Sequence, residues 1–102
     1  MEGFINWLSG FSKEAEEMRG KYVFKIVPMV NPDGVAIGNY RTGLSGRDFN
    51  REFTDPDPSL FVEVLQLKKY VQKCKWIYQK SFNFFLDFHG HSVKKNAFSY
   101  GP

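Results

Sequence analysis

A chain of 102 residues with eleven Phe, five Tyr and two Trp must bury a core, which excludes disorder and leaves room for one small domain. A net charge of +3, and no apolar run long enough to cross a bilayer, argue against a membrane span and against a dedicated nucleic-acid binder. The single cysteine, Cys74, cannot close an internal disulfide, which fits a reducing compartment.

The chain opens on a short apolar helical stripe, Phe4, Ile5, Trp7 and Leu8, broken at Ser9-Gly10. Glu2 and the lack of an apolar run exclude a signal peptide here. An apolar helix with no lead-in is expected of a piece cut from something longer. Ser12 is placed to cap a second helix over residues 13–19, with Glu14, Glu16 and Glu17 near its positive end and Gly20 as its stop. Residues 22–30, YVFKIVPMV, read as a strand, with Pro28 marking an unpaired end or an edge. Asn31-Pro32-Asp33-Gly34 then gives a turn signal.

Residues 34–57 are polar, rich in Gly and Arg, and without a period. A loop of that length in a compact domain is usually functional or disordered. Arg41, Arg47 and Arg51 lie in it beside Asp48 and Asn50. Guanidinium forks bind carboxylates bidentately, but arginines in such a loop can equally tie it to itself. Asp57-Pro58 resembles a helix start. Phe61, Val64, Leu65, Lys68, Val71, Cys74 and Tyr78 follow at helical spacing, which predicts one amphipathic helix over residues 59–79. The lysines at 68, 69, 73, 75 and 80 are read as its solvated face rather than a nucleic-acid patch.

Residues 82–88, FNFFLDF, are apolar on both alternating faces, as in a strand buried on both sides of an α/β sheet. With the crossover helix between them, residues 22–30 and 82–88 are expected to pair in parallel, right-handed fashion. Residues 96–100 are expected to add a further short strand. Asp87, His89 and His91 arrive together at the carboxyl end of residues 82–88, where ligands bind in open α/β sheets. The alternative for His89 is a hydrogen-bonded core histidine.

Four motifs occur in order: NPDGV at 31–35, NYR at 39–41, GRDFNREF at 46–53 and DFHGHSVKKNAFSYG at 87–101. Together they resemble the zinc metallocarboxypeptidases (M14 peptidases), most closely the cytosolic carboxypeptidases that trim glutamates from tubulin and other proteins. The resemblance covers nearly the whole chain, residues 1–102, as a middle fragment of one catalytic domain. It implies a partial zinc-carboxypeptidase fold of the α/β class, a central mixed, mostly parallel sheet with flanking helices. It implies a cytoplasmic protein acting on a peptide or protein C-terminus, with no nucleic-acid or membrane partner.

The resemblance also implies roles. His89 matches the third zinc ligand. Asn50 and Arg51 match the pair that holds the substrate's terminal carboxylate. Arg41 matches the arginine that polarises the scissile carbonyl and stabilises the oxyanion. Asp48 matches a carboxylate that orients another zinc-binding histidine. Arg41, Asn50, Arg51 and His89 are therefore expected around one concavity.

A catalytic zinc centre of this kind needs two histidines and a glutamate, with water in the open position. The sequence holds only His89 and His91, and no HxxE pair. The family's HxxE motif lies upstream of the matching stretch. Its general-base glutamate and closing tyrosine lie downstream. Residues two apart share a strand face, so His91 is an alternative ligand beside His89, and the sharp turn that the resemblance implies at Gly90-His91 argues against it. One of three protein ligands is thus present, and the chain alone is expected to be inactive. The competing reading is a non-catalytic carboxylate-binding or scaffold domain that uses Arg41 and Arg51 without metal.

Overall fold

In a computed structural model, which describes residues 1–101, four α-helices run in order. They are α1 at Glu2–Ser9, α2 at Lys13–Lys21, α3 at Pro32–Ile37 and α4 at Val62–Tyr78. Single 3₁₀ turns lie at Phe49–Arg51 and Gln79–Ser81.

Helices α1 and α2 form a hairpin around Leu8 and the fully buried Ala15. Ser12 caps α2 as its position predicts, its Oγ accepting the Ala15 N–H at 3.2 Å. Arg19 reaches back from α2 and donates to the carbonyls of Leu8 and Gly10, which close α1 and would otherwise lack partners. Gly20 does not stop α2. The helix continues to Lys21, and the Tyr22 N–H bonds the Met18 carbonyl at 2.9 Å with Tyr22 in an extended conformation.

The Asn31-Pro32-Asp33-Gly34 turn is the start of α3. Asn31 Oδ1 accepts the Gly34 N–H at 3.0 Å, and Pro32 fills a first-turn position where no amide donor is needed. Gly38, at φ +80°, ends the helix in the left-handed conformation. Asn31 Nδ2 also donates to the Thr42 carbonyl at 3.1 Å, bracing α3 against the next loop. A Cβ on the buried Gly34 would press on the Asn31 amide and stand 2.7 Å from the Thr42 oxygen. Gly34→Ala is therefore expected to cost about 1–3 kcal/mol of stability, read as a fall in the urea midpoint at unchanged slope. An unchanged midpoint would mean that the Asn31 brace does not form.

Helix α4 begins at Val62, three residues later than the periodicity predicts. The carboxylate of Asp57 accepts the Ser59 N–H at 2.8 Å and its hydroxyl at 2.6 Å, and the Phe61 N–H bonds the Asp57 carbonyl at 2.9 Å. This turn precedes the helix and takes up the residues read as its first turn. Phe61 and Val64 are fully buried and, with Phe49, form a small core against which Phe53 packs. Lys68 lies on the same stripe as Phe61 and Val64. It is a brace rather than a solvated lysine, because its Nζ donates to the carbonyls of Phe53 at 2.6 Å and Thr54 at 3.0 Å.

The expected sheet is not formed among the described residues. Among the described residues there is no strand at 22–30, 82–88 or 96–100, and an isolated antiparallel bridge, Thr42 with Asp48, is the β pairing present. Phe84, Phe85, Leu86 and Phe88 are each more than half exposed. Strand preference reports how a side chain suits a pleated, half-buried surface; it does not supply the neighbouring ladder. The two segments nonetheless approach the same side chain. The Phe4 ring lies 6.2 Å from that of Phe24 and 5.9 Å from that of Phe88, centroid to centroid. The radius of gyration, 15.9 Å, exceeds the roughly 13 Å of a compact chain of this size, in line with those uncovered aromatics.

Candidate functional site

The polar loop is ordered by a tight turn. Gly43 N–H bonds the Arg47 carbonyl at 3.3 Å, and Gly46, at φ +73°, returns its N–H to the Gly43 carbonyl at 3.0 Å. A Cβ on Gly43 would enter the Phe49 ring, so the turn lies directly on the core. Asp48 then caps the Phe49–Arg51 turn, its Oδ1 accepting the Asn50 N–H at 2.9 Å. The Phe49 ring packs edge-on to Phe61 at 6.0 Å and fixes the turn to the start of α4.

This scaffold separates the three arginines. Arg47 has structural partners although its side chain is 61% exposed: its Nη2 lies 2.7 Å from Oε1 of the buried Glu52, and its guanidinium lies 5.5 Å from the Phe61 ring centroid. A buried carboxylate is costly unless paired, and Arg47 supplies the pair. Arg41 is 57% exposed, stands beside the Tyr40 ring and reaches Asp48 only at 3.9 Å. Arg51 is exposed, and among the described residues its side chain makes one hydrogen bond, a long one of 3.4 Å to the neighbouring Asn50 carbonyl. Each guanidinium has five N–H donors, so Arg41 and Arg51 keep most of theirs available. Among the described residues the exposed Asn50 side-chain amide also lacks a hydrogen-bond partner. Arg41, Asp48, Asn50 and Arg51 therefore share one braced turn.

Among the described residues His89 makes no hydrogen bond or ion pair with that turn. It is exposed, which sets aside the core-histidine alternative, and its Nε2 lies 3.2 Å from Asp87 Oδ2. Among the described residues, the hollows of about 410 and 300 Å³ are lined by neither Arg41, Asn50, Arg51 nor His89. His91 differs from His89. Its Nδ1 accepts the Val93 N–H at 3.2 Å and the Lys94 N–H at 2.8 Å, and its ring packs against Phe98. The Nδ1 lone pair of His91 is spent on backbone amides; that of His89 is not.

Near the loop's end, the Ser59 hydroxyl and then its amide hold the Asp57 carboxyl below its ordinary value.

The zinc carboxypeptidase family model matches residues 4–101. The chain belongs to the zinc carboxypeptidase family. Cytosolic carboxypeptidase 3 of Bos taurus is 41% identical over 105 residues, 99% of this chain and 10% of that protein. Cytosolic carboxypeptidase 1 of Xenopus laevis is 44% identical over 101 residues, 99% of this chain and 8% of that protein. Cytosolic carboxypeptidase 2 of Xenopus tropicalis is 40% identical over the same length. The chain thus spans a tenth or less of the relatives named here. No solved structure matches it.

Zinc carboxypeptidases take their name from the metal, and the residues present fit one ligand position of such a centre. His89 has a carboxylate behind one ring nitrogen and an uncommitted lone pair on the other, the arrangement usual for a ligating imidazole. Among the described residues no three His, Cys, Asp or Glu side chains gather into a metal-binding group, so a whole centre is not assembled here. No helix among the described residues is long and apolar enough to cross a membrane.

Sequence reasoning singled out Arg41, Asp48, Asn50, Arg51 and His89 but could not sort Arg47 from its neighbours. The available signal was Glu52, five residues on, the nearest carboxylate beyond Asp48 that Arg47 could reach.

Proposed function

We propose that this chain carries the substrate-carboxylate and oxyanion side of a zinc-dependent metallocarboxypeptidase acting on peptide or protein C-termini in the cytoplasm. Glutamate-bearing tails such as those of tubulin are the proposed substrate class. In the whole domain, residues 22–30 and 82–88 are proposed to be strands of a mixed, mostly parallel α/β sheet. Their shared approach to Phe4 supports this. The observation that carries the functional reading is the division among the arginines. Arg47 is tied to Glu52 and Phe61, while Arg41 and Arg51 keep their donors on one rigid turn.

The roles follow from chemistry. Arg51 and the Asn50 amide clamp a terminal carboxylate; fork and carboxylate match in shape and charge. Arg41 places a fixed cation where the scissile carbonyl oxygen gains charge, an interaction that strengthens in the transition state. Asp48 would orient another metal-binding histidine and set its tautomer. His89 would hold the metal through its imidazole. Bound zinc supplies Lewis acidity and a water ionisable near neutral pH.

The 102-residue chain by itself is expected to release no C-terminal glutamate or hydrophobic residue from model peptides with zinc added. It carries one histidine with a free lone pair, where a catalytic centre takes three protein ligands. Chelator-sensitive release above background, lost in His89→Ala, would overturn that expectation. The donors that Arg41 and Arg51 keep available are what a second reading uses, a metal-free carboxylate-binding or scaffold domain. Zinc-independent binding of a glutamate-terminated peptide, lost in Arg51→Ala, would select it.

A further inference from the structure

The outward face of α4 is not the plain solvated surface that its lysines predict. Val64 and Cys74 mark the buried face of the helix. Lys69, Lys73 and Trp76, four and then three residues apart, share the opposite face. Trp76 is 76% exposed, and Tyr70 and Ile77 beside it are 41% and 50% exposed. Solubility asks for charge and not for an indole, whereas tryptophan and tyrosine are enriched where a protein meets a partner. The lysine heads around Trp76 are uncommitted: the ion pairs among the described residues engage neither Lys69 nor Lys73. Lys68, by contrast, is spent on the carbonyls of Phe53 and Thr54. No Asp or Glu occurs between Glu63 and Asp87, so nothing along most of α4 offsets this charge locally.

We propose that the outward face of α4, with Lys69 and Lys73 beside Trp76, is a docking surface for an acidic peptide segment that carries consecutive glutamates next to an apolar residue. Charge complementarity chooses the acid, and the exposed indole chooses the apolar neighbour. The spacing also fits. Lys69 and Lys73 stand about 6 Å apart along the helix axis, and side chains on one face of an extended peptide recur about every 7 Å. A strand of nucleic acid is a poorer match, because it takes a basic groove with several stacking platforms, and α4 offers a convex face with one indole. A lipid surface is poorer too: an interfacial helix lays its main apolar face on the bilayer, and that of α4 is turned inward at Val64 and Cys74. The surface uses none of the residues given roles above. Only the choice of glutamate as the acid rests on the proposed substrate class.

The test is binding of a dye-labelled oligoglutamate peptide carrying one leucine to the full chain, followed by fluorescence anisotropy. The peptide is amidated, so it has no terminal carboxylate for Arg51 to clamp. Saturable binding is expected, weakening as ionic strength rises to about 0.15 M. In a Trp7→Phe background, where Trp76 is the remaining indole, peptide is expected to shift the tryptophan emission to the blue. Lys69→Gln combined with Lys73→Gln is expected to weaken binding about 10-fold, and Trp76→Ala by about 10-fold or more. All three side chains are exposed, so circular dichroism should show α4 intact in both variants. Arg51→Ala is expected to bind like the parent chain. No saturable binding, or equal affinity in the parent and both α4 variants, overturns the proposal. Loss in Arg51→Ala with the α4 variants unaffected places the peptide on the substrate turn, which overturns the α4 surface and leaves the reading of that turn standing. Tighter binding of a single-stranded oligonucleotide or of phosphatidylserine vesicles than of the peptide overturns the choice of occupant.

Discussion

In a carboxypeptidase carrying this segment, Arg41→Ala is expected to lower kcat by about 10²–10³-fold, the usual loss when one oxyanion donor is removed. KM should change little, because the interaction forms mainly as the carbonyl oxygen gains charge. Arg51→Ala should act the other way round. A charge-assisted hydrogen bond is worth about 1.5–3 kcal/mol, so KM is expected to rise roughly 10–100-fold with a smaller effect on kcat. Arg47→Ala provides the contrast. It removes the partner of the buried Glu52 and the cation over Phe61, so it should destabilise the fold while kcat stays near the parent value under folded conditions. Steady-state kinetics beside a denaturation curve for each variant separates the three. If Arg47→Ala lost catalysis at full stability while Arg41→Ala kept it, the division of labour read from the loop would be reversed.

What was legible in the sequence was local, and what was not depended on partners distant in the chain. The Ser12 cap, the α1 stripe and most of α4 follow from spacing and side-chain chemistry within one or two turns. The Asn31-Pro32-Asp33-Gly34 stretch was ambiguous because turn and helix start use the same residues. Asn caps either, and Pro suits the second position of a turn and the first turn of a helix. The sheet was not legible as an observed ladder because pairing is non-local. Residues 82–88 carry the composition of a buried strand, yet Phe84, Phe85 and Phe88 are each more than half exposed in this structure. For the site, the motif match named the residues, but only geometry divided the arginines. Sequence places Arg41, Arg47 and Arg51 as equivalents in one loop, and the difference lies in Glu52 and the Phe61 ring, one of them ten residues beyond Arg51. The same holds for the histidines: the motif separates His89 from His91, and the hydrogen bonds on their nitrogens give the reason.

Phe61→Ala is expected to be the most damaging single change in the chain. Phe61 is fully buried, packs against Phe49 edge-to-face, stands under the Arg47 guanidinium and opens the core shared with Val64. Truncating a buried phenylalanine typically costs about 3–5 kcal/mol, against a total of roughly 5–15 kcal/mol for a folded domain. The loss should not be uniform. The turn that carries Arg41, Asn50 and Arg51 is seated on Phe49, and Phe49 is seated on Phe61, so the amides of Gly43, Gly46, Asn50 and Arg51 should lose exchange protection first. The α1–α2 hairpin has its own contacts, the Ser12 cap and the Arg19 bridge to Leu8 and Gly10, and the amides of Ala15 and Tyr22 should be spared. Because the alanine variant can unfold outright, Phe61→Leu gives a milder test, with a cost of about 1–1.5 kcal/mol and the same order of deprotection. Hydrogen exchange followed residue by residue reads both variants. Equal deprotection of the hairpin and the turn would mean that Phe61 supports the whole chain alike, and that the substrate turn has no separate anchor.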